Sequence, residues 1–101
     1  MPSKDELVEL LSMKFGYSFE KAPETAERLL SANKKIQDAF IDYLKDKTVS
    51  PLTIEGYDMK FFMQKYKMSA VAALLSLDWI IREPERAKKI IKRGYDRVIL
   101  K

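Results

Sequence analysis

The sequence predicts an all-α protein: a single compact bundle of five to six short helices around a buried central helix at about residues 70–82. Three observations predict this fold class. Apolar residues recur at steps of three and four along most of the chain. Only three glycines and four prolines interrupt the 101 residues, which is too few for many short strands. The chain is 47% apolar and 34% charged, a composition typical of a globular domain.

Capping residues predict the first two helices. Ser3 and Glu6 have the spacing of a capping box, in which each side chain accepts a backbone N–H of the first helical turn. Gly16 is placed to end that helix in a left-handed conformation. Ser18 is a candidate cap for a second helix. Pro23 does not fit a helix interior, so we expect a short turn first and then the main part of the second helix over about 23–32.

A third helix is expected from the cap residue Asn33 to about Lys47. The residues predicted to face inward on it are Ile36, Ala39, Phe40, Tyr43 and Leu44. The segment 48–56 breaks the helical pattern. We expect it to be a loop that joins two helical halves, about 3–47 and 57–101, of one domain spanning 1–101.

Three more helices are predicted after this loop. The fourth spans about Tyr57 to Tyr66, and Ser69 caps a fifth over Ala70–Arg82. The fifth helix is apolar on nearly every side, which indicates that it is the buried central one. Pro84 opens a sixth helix that runs to about Arg93, because the residue before a proline is disfavoured in a helix.

The chain has no histidine and no cysteine, which narrows the functions open to it. It lacks the side chain that titrates near neutral pH, as well as thiolate nucleophiles and the usual zinc and iron–sulfur ligands. No glycine-rich phosphate loop is present either. We therefore expect no enzymatic activity, no cofactor and no metal.

We predict a cytoplasmic protein, or one free in another aqueous compartment. The N-terminus is polar and acidic, and no apolar signal-peptide core follows it. The longest apolar stretch, 70–81, would cover roughly 18 Å as a helix, against about 30 Å for the hydrocarbon layer of a membrane. No membrane span is therefore expected.

The positive charge of the chain is concentrated in its last twenty residues. The net charge is −1 over residues 1–50, zero over 51–81 and +5 over 82–101. We define the basic stripe as five cations at steps of three or four: Arg82, Arg86, Lys89, Arg93 and Arg97. The stripe is the first candidate partner-binding site. Its inward side is predicted to carry Ala87, Ile91, Tyr95 and Val98.

Acidic residues elsewhere offer a second interpretation of the stripe, as a solvated or internally neutralised helix face. Asp78 is spaced to pair with Arg82, and Glu85 with Lys89. Two acidic rows are also candidates to face the stripe, within the fold or across a dimer. They are Glu20, Glu24 and Glu27 on the second helix, and Asp38, Asp42 and Asp46 on the third.

A second candidate binding site combines the loop with the aromatic residues after it: Pro51, Leu52, Tyr57 and Phe61. Lysines interleave with these aromatic residues, a pattern that also suits stacking on single-stranded bases. Core packing is the commoner use of aromatic residues at helical spacing. If Tyr57 or Phe61 is exposed, a groove for a protein is the better interpretation.

A glycine loop and the start of the third predicted helix carry a likeness to a known family. The residues concerned are Phe15, Gly16, Tyr17 and the segment 32–36. They resemble the ubiquitin-associated three-helix module over roughly residues 7–46, although Pro23 departs from its pattern. The resemblance implies capture of a small protein by the loop and the end of the third helix.

The function predicted from these patterns is a small, non-catalytic protein-binding or regulatory module, with homodimer formation as one of its expected properties. The alternative is a nucleic-acid-binding accessory protein that uses the same stripe without reading bases. Phosphate binding predicts a steep loss of affinity with salt. Protein binding predicts apolar residues beside the stripe. The sequence does not distinguish a structural from a functional role for Gly16, Gly56 or Gly94.

Overall fold

The computed structural model describes residues 1–93, and most of that length is helical. The helices are α1 Lys4–Lys14, α2 Lys21–Leu30, α3 Lys34–Asp46, α4 Met59–Lys65, α5 Ala70–Arg82 and α6 Pro84–Lys92. Two dipeptide strands, β1 Thr53–Ile54 and β2 Tyr57–Asp58, form a small antiparallel hairpin between α3 and α4. The prediction of an all-α protein is confirmed. None of the helices within residues 1–93 combines the length and the apolarity needed to cross a membrane.

Backbone contacts divide the chain into two compact units, with the boundary between Ala32 and Asn33. The first unit contains α1 and α2, which pack against each other. The second unit contains the remaining elements, so the loop at 48–56 lies inside it. The single domain predicted for 1–101 stays a prediction.

The capping box predicted for α1 is confirmed. The Ser3 hydroxyl accepts the Glu6 N–H at 3.3 Å, and the Glu6 carboxylate accepts the Ser3 N–H at 3.1 Å. At the other end Gly16 has a φ of 71°, and the Tyr17 N–H donates to the Leu11 carbonyl at 3.0 Å. Gly16 therefore supplies the left-handed residue that ends this helix.

The start of α2 differs from the prediction. The helix begins at Lys21, whose N–H is accepted by the Ser18 hydroxyl at 3.2 Å, and not at Pro23. Pro23 occupies the first turn, where no intrahelical partner awaits its backbone nitrogen. The missing N–H of proline therefore does not destabilise this helix. The predicted start at Pro23 was two residues beyond the observed start at Lys21.

α5 is the central helix of the second unit, as predicted. Nine of its thirteen residues are buried, and α3, α4, α6 and both strands contact it. The buried side chains that α3, α4 and α6 contribute to this unit include Ile36, Ala39, Phe40, Met59, Phe62, Ala87 and Ile91. Tyr43 and Leu44, which were also predicted to face inward, are half-buried. Asn33 and Ser69 cap α3 and α5 through their side chains, as expected.

The hairpin was not predicted, and it shifts the start of α4. Glu55 and Gly56 both have positive φ, 51° and 86°, and connect Ile54 directly to its pairing partner Tyr57. Two positive values of φ match the tight turn that suits the twist of a two-residue hairpin. The predicted helix start at Tyr57 was wrong, since α4 begins at Met59.

Candidate partner-binding surface

α6 is amphipathic because its buried apolar residues lie on one side of the helix. Glu83 has a non-helical backbone conformation, with φ −135° and ψ 64°, and separates α5 from α6. Pro84 occupies the first turn of α6. Ala87 and Ile91, one turn apart, are buried as predicted. The basic residues of the helix therefore lie on its other side.

The structure splits the basic stripe into paired and unpaired cations. Arg82 belongs to α5, so the break at Glu83 separates it from the α6 part of the stripe and the stripe is not one continuous helical row. Its Nε donates to the Asp78 carboxylate at 2.9 Å, which confirms the predicted pair. Arg86 pairs with Glu83 at 3.2 Å. Both arginines thus have an acidic partner in their own chain.

Lys88 ties α6 to the hairpin. Its Nζ lies 3.0 Å from the Glu55 carboxylate and 3.4 Å from that of Glu85. The hydrogen bond and the negative charge of Glu55, reinforced by Glu85, raise the pKa of Lys88 above its usual value. The expected pair between Glu85 and Lys89 was wrong, because the Glu85 carboxylate forms its ion pair with Lys88 instead.

Lys89 and Arg93 are the open cations of the stripe. Both are exposed, and neither side chain forms an ion pair within the part of the chain that the structure describes. They lie at the C-terminal end of α6 with exposed Lys92, where cations also offset the helix dipole. Ile90, which is half-buried, lies beside Lys89 and three residues before Arg93. The other predicted members of this region lie outside the described residues: Gly94, Tyr95, Arg97 and Val98.

The aspartate row predicted to neutralise the stripe has other contacts. Asp38 pairs with Lys34 at 3.5 Å, and Asp46 accepts hydrogen bonds from the hydroxyl and the N–H of Thr48. These bonds hold the pKa of Asp46 below its usual value. Within residues 1–93, no ion pair joins Asp38, Asp42 or Asp46 to the stripe.

In the glutamate row, Glu27 is held by Lys4 of the same unit at 2.6 Å. This contact lowers the pKa of Glu27, first through the hydrogen bond and then through the positive charge. Glu20 and Glu24 are exposed. The row therefore contributes an ion pair between α1 and α2.

The second candidate site is an aromatic cluster at the start of α4. Tyr57 and Phe61 are half-buried, with ring centroids 5.0 Å apart, and both pack against the buried Phe62. Pro51 is exposed and Leu52 is half-buried. Part of each ring therefore packs into the core. The role of these residues in binding stays a prediction.

The first unit exposes apolar residues to which sequence reasoning gave no binding role. The side chains of Met13 and Phe19 are 76% and 89% exposed. A groove of about 470 Å³ lies along α1, lined by Glu6, Glu9, Leu10, Met13 and Lys14. The available signal was that apolar residues occur on more than one side of the first helix.

No protein-family model, curated protein or solved structure matches this chain. The resemblance to the ubiquitin-associated module gains no support, and α3, which would be its third helix, belongs to the second unit. Within residues 1–93, no group of three or more acidic side chains is placed to hold a metal ion.

Proposed function

We propose that this protein is a small, non-catalytic protein-binding module whose α6 face docks on an acidic surface of a partner protein. One observation carries the proposal: Lys89 and Arg93 are exposed and unpaired within the described residues, with the half-buried Ile90 between them in sequence. We call Lys89, Ile90 and Arg93 the α6 docking face. It offers two cations that form no ion pair within residues 1–93, on either side of an apolar residue in sequence.

Unpaired cations are better placed than paired ones to attract a partner. A partner carboxylate approaching Arg82 or Arg86 competes with Asp78 or Glu83, whereas one approaching Lys89 displaces no ion pair formed among residues 1–93. Charges arranged in this way steer the encounter and select the partner, while apolar contact area adds to affinity.

The α6 docking face is also held in place before any partner binds. Ala87 and Ile91 fix the inner side of the helix in the core, and Lys88 links it to the hairpin through Glu55. A surface ordered in advance loses less conformational entropy on binding. This preorganisation supports a docking role for α6.

The alternative function is binding of nucleic acid without base readout. The observation that favours it is the group of three exposed cations at the end of α6: Lys89, Lys92 and Arg93. Such a group can neutralise phosphates and release their counterions, so the affinity would fall steeply with salt. The apolar contribution of Ile90 favours a protein over a phosphate backbone.

Charge reversal on the α6 docking face tests the proposal. The variant Lys89→Glu/Arg93→Glu is compared with the control Lys35→Glu/Lys45→Glu, which makes the same charge change at exposed lysines of α3. Each protein is immobilised and exposed to nuclease-treated lysate of its source cell. We expect wild type and control to retain the same protein, and the α6 variant to lose it.

Two results would contradict the proposal. One is retention of the same protein by the α6 variant, which would place the binding surface elsewhere. The other is binding that is found with untreated lysate and is absent from nuclease-treated lysate, which would favour the nucleic-acid alternative. Circular dichroism of both variants checks that the helices are intact. We expect them to be, because charge changes at exposed sites have small effects on stability.

The cytoplasmic location predicted from the sequence belongs to this proposal. Fractionation of cells that express the tagged chain tests it: the chain should appear with cytosolic markers. Recovery with the membrane pellet after a salt wash would contradict it.

A further inference from the structure

α1 has apolar residues on two sides, although only one side is needed for the core. Leu7 and Leu11 are completely buried. Leu10 is half-buried, and Met13 is 76% exposed on another side of the helix. A surface helix normally carries polar residues opposite its buried stripe. The second apolar side of α1 is therefore a candidate contact surface.

The groove along α1 has the spacing of a helix face. Its lining residues follow one another at steps of one, three or four over two turns: Glu6, Glu9, Leu10, Met13 and Lys14. We call these five residues the α1 groove. Residues at such spacing on one helix offer a ridge-and-groove surface suited to the packing of another helix.

Negative charge is concentrated at the N-terminal end of the α1 groove. Glu6 and Glu9 line it there, and exposed Asp5 lies in the same first turn. Glu9 forms no ion pair with any residue of the described chain. Hydrogen bonds from the N–H and hydroxyl of Ser3 lower the pKa of Glu6 below its ordinary value, which favours the charged form of its carboxylate. An occupant of this groove must therefore bring apolar groups and positive charge.

The α6 docking face has this complementary chemistry. It is helical and combines Lys89 and Arg93 with the half-buried Ile90. Every copy of the chain carries both the acidic, apolar groove and the basic, partly apolar helix. A second copy of the chain is thus a partner whose positive α6 face complements the negative groove, and it is present wherever the protein occurs.

We propose that the α6 docking face of one copy binds in the α1 groove of a second copy. This inference rests on the proposed function, and it names a partner for the same α6 surface. Two different surfaces meet, so the contact is heterologous, and copies either close into a ring or continue to add. A contact two helical turns long is smaller than a standard interface, so the association is concentration-dependent and weak.

Charge exchange across the contact provides the test, with sedimentation equilibrium of the full chain as the measurement. Wild type should gain mass with concentration. Glu9→Lys makes the groove repel α6, and Lys89→Glu makes α6 repel the groove. Each single variant should associate about tenfold more weakly than wild type.

Mixing the two variants should restore association, because each supplies the charge that the other requires. The double variant Glu9→Lys/Lys89→Glu should also associate with itself. The matched controls Glu24→Lys and Lys45→Glu make the same charge changes at exposed positions of α2 and α3. Both controls should behave as wild type.

The inference is overturned if wild type remains a monomer up to about 1 mM. It is also overturned if neither Glu9→Lys nor Lys89→Glu weakens association, or if mixing them does not restore it. If any of these results is found while Lys89 and Arg93 are still needed to capture another protein, the self-association is wrong and the proposed function stands. Restored association without any captured foreign protein supports the inference and makes the second copy the partner.

Discussion

At the scale of single residues, Ser12 carries a buried polar atom with no hydrogen-bond partner, the one such side-chain atom found within residues 1–93. An unsatisfied buried hydroxyl costs stability, and alanine has a higher helix propensity than serine. Ser12→Ala should therefore raise the free energy of unfolding by about 1 kcal/mol. The urea midpoint measures the change.

Ser76→Ala is the control for Ser12→Ala, because the Ser76 hydroxyl is buried in α5 but donates to the Ala72 carbonyl at 2.9 Å. It should show no comparable gain. A lower urea midpoint for Ser12→Ala than for wild type would show that its hydroxyl is satisfied.

Lys67 adopts a backbone conformation that favours glycine. Its φ is 59°, and it follows α4 as Gly16 follows α1, with the next N–H donating back into the helix in both cases. Lys67→Gly should stabilise the protein by about 0.5–1 kcal/mol, because glycine adopts this region without a Cβ penalty. Lys65→Gly replaces the last residue of α4, whose backbone is helical and whose ammonium lies over the Phe61 ring, so it should lower stability by about 0.5–1 kcal/mol. Thermal unfolding of both variants checks the contrast, and an equal loss in both would contradict it.

At the scale of elements, Asp78 joins α5 to the start of α3. Its side chain is 8% exposed, accepts the Asn33 N–H at 2.9 Å and binds Arg82 at 2.9 Å. Asp78→Ala leaves the Asn33 N–H without its acceptor and removes the carboxylate that Arg82 binds, so the free energy of unfolding should fall by about 2 kcal/mol.

Asp38→Ala is the comparison for Asp78→Ala, since it removes an exposed ion pair of α3. Exposed pairs contribute at most about 0.5–1 kcal/mol, so this loss should be the smaller one. Chemical denaturation of both variants measures the difference. Similar losses would mean that Asp78 does not link the two helices.

The ion pair between α1 and α2 predicts a dependence of stability on pH. Lys4 lowers the pKa of Glu27 in the folded protein below its ordinary value of 4.5. The depressed pKa means that the contribution is complete above the unfolded-state value and is lost as the pH falls through the folded-state value. Glu27→Gln should therefore lose less stability than wild type between about pH 6 and pH 3. Urea midpoints across this range test it, and parallel curves for the two proteins would contradict it.

Helix caps were predictable because they depend on short-range chemistry. Ser3, Asn33, Ser69 and Pro84 each mark a helix start through a bond or a fixed φ that involves the next few residues. The hairpin was missed because its turn places Glu55 in a left-handed conformation, where asparagine, aspartate or glycine is the usual signal. Its strands of two residues are also too short to show alternation.

At the scale of the whole molecule, the sequence showed where the positive charge is concentrated, but it revealed only those ion-pair partners that lie within the same helix. The pair between Asp78 and Arg82 lies within one helix and follows from spacing alone. The contact between Glu55 and Lys88 joins residues far apart in sequence, and it depends on a hairpin that the pattern did not reveal. For the same reason, Lys89 emerged as an open cation only from the three-dimensional arrangement.

The second surface was only partly indicated by the sequence. Leu10 and Met13 place apolar residues on more than one side of the first helix, but spacing alone does not distinguish a buried from an exposed apolar side. Only the burial of Leu7 and Leu11 shows that the core uses one side of α1 and leaves Met13 exposed. Charge complementarity between this surface and α6 then followed from exposed residues and not from a motif.

The central claim is that the α6 docking face binds protein and not nucleic acid. A backbone amide NMR titration with a short DNA duplex and a short RNA, at about 50 and 200 mM salt, tests it most directly. We predict that shifts at the lower salt are no larger at Lys89 and Arg93 than at the exposed lysines of α3, and that none remain at the higher salt. Shifts concentrated on α6 that fade steeply with salt would contradict the claim and establish the nucleic-acid alternative.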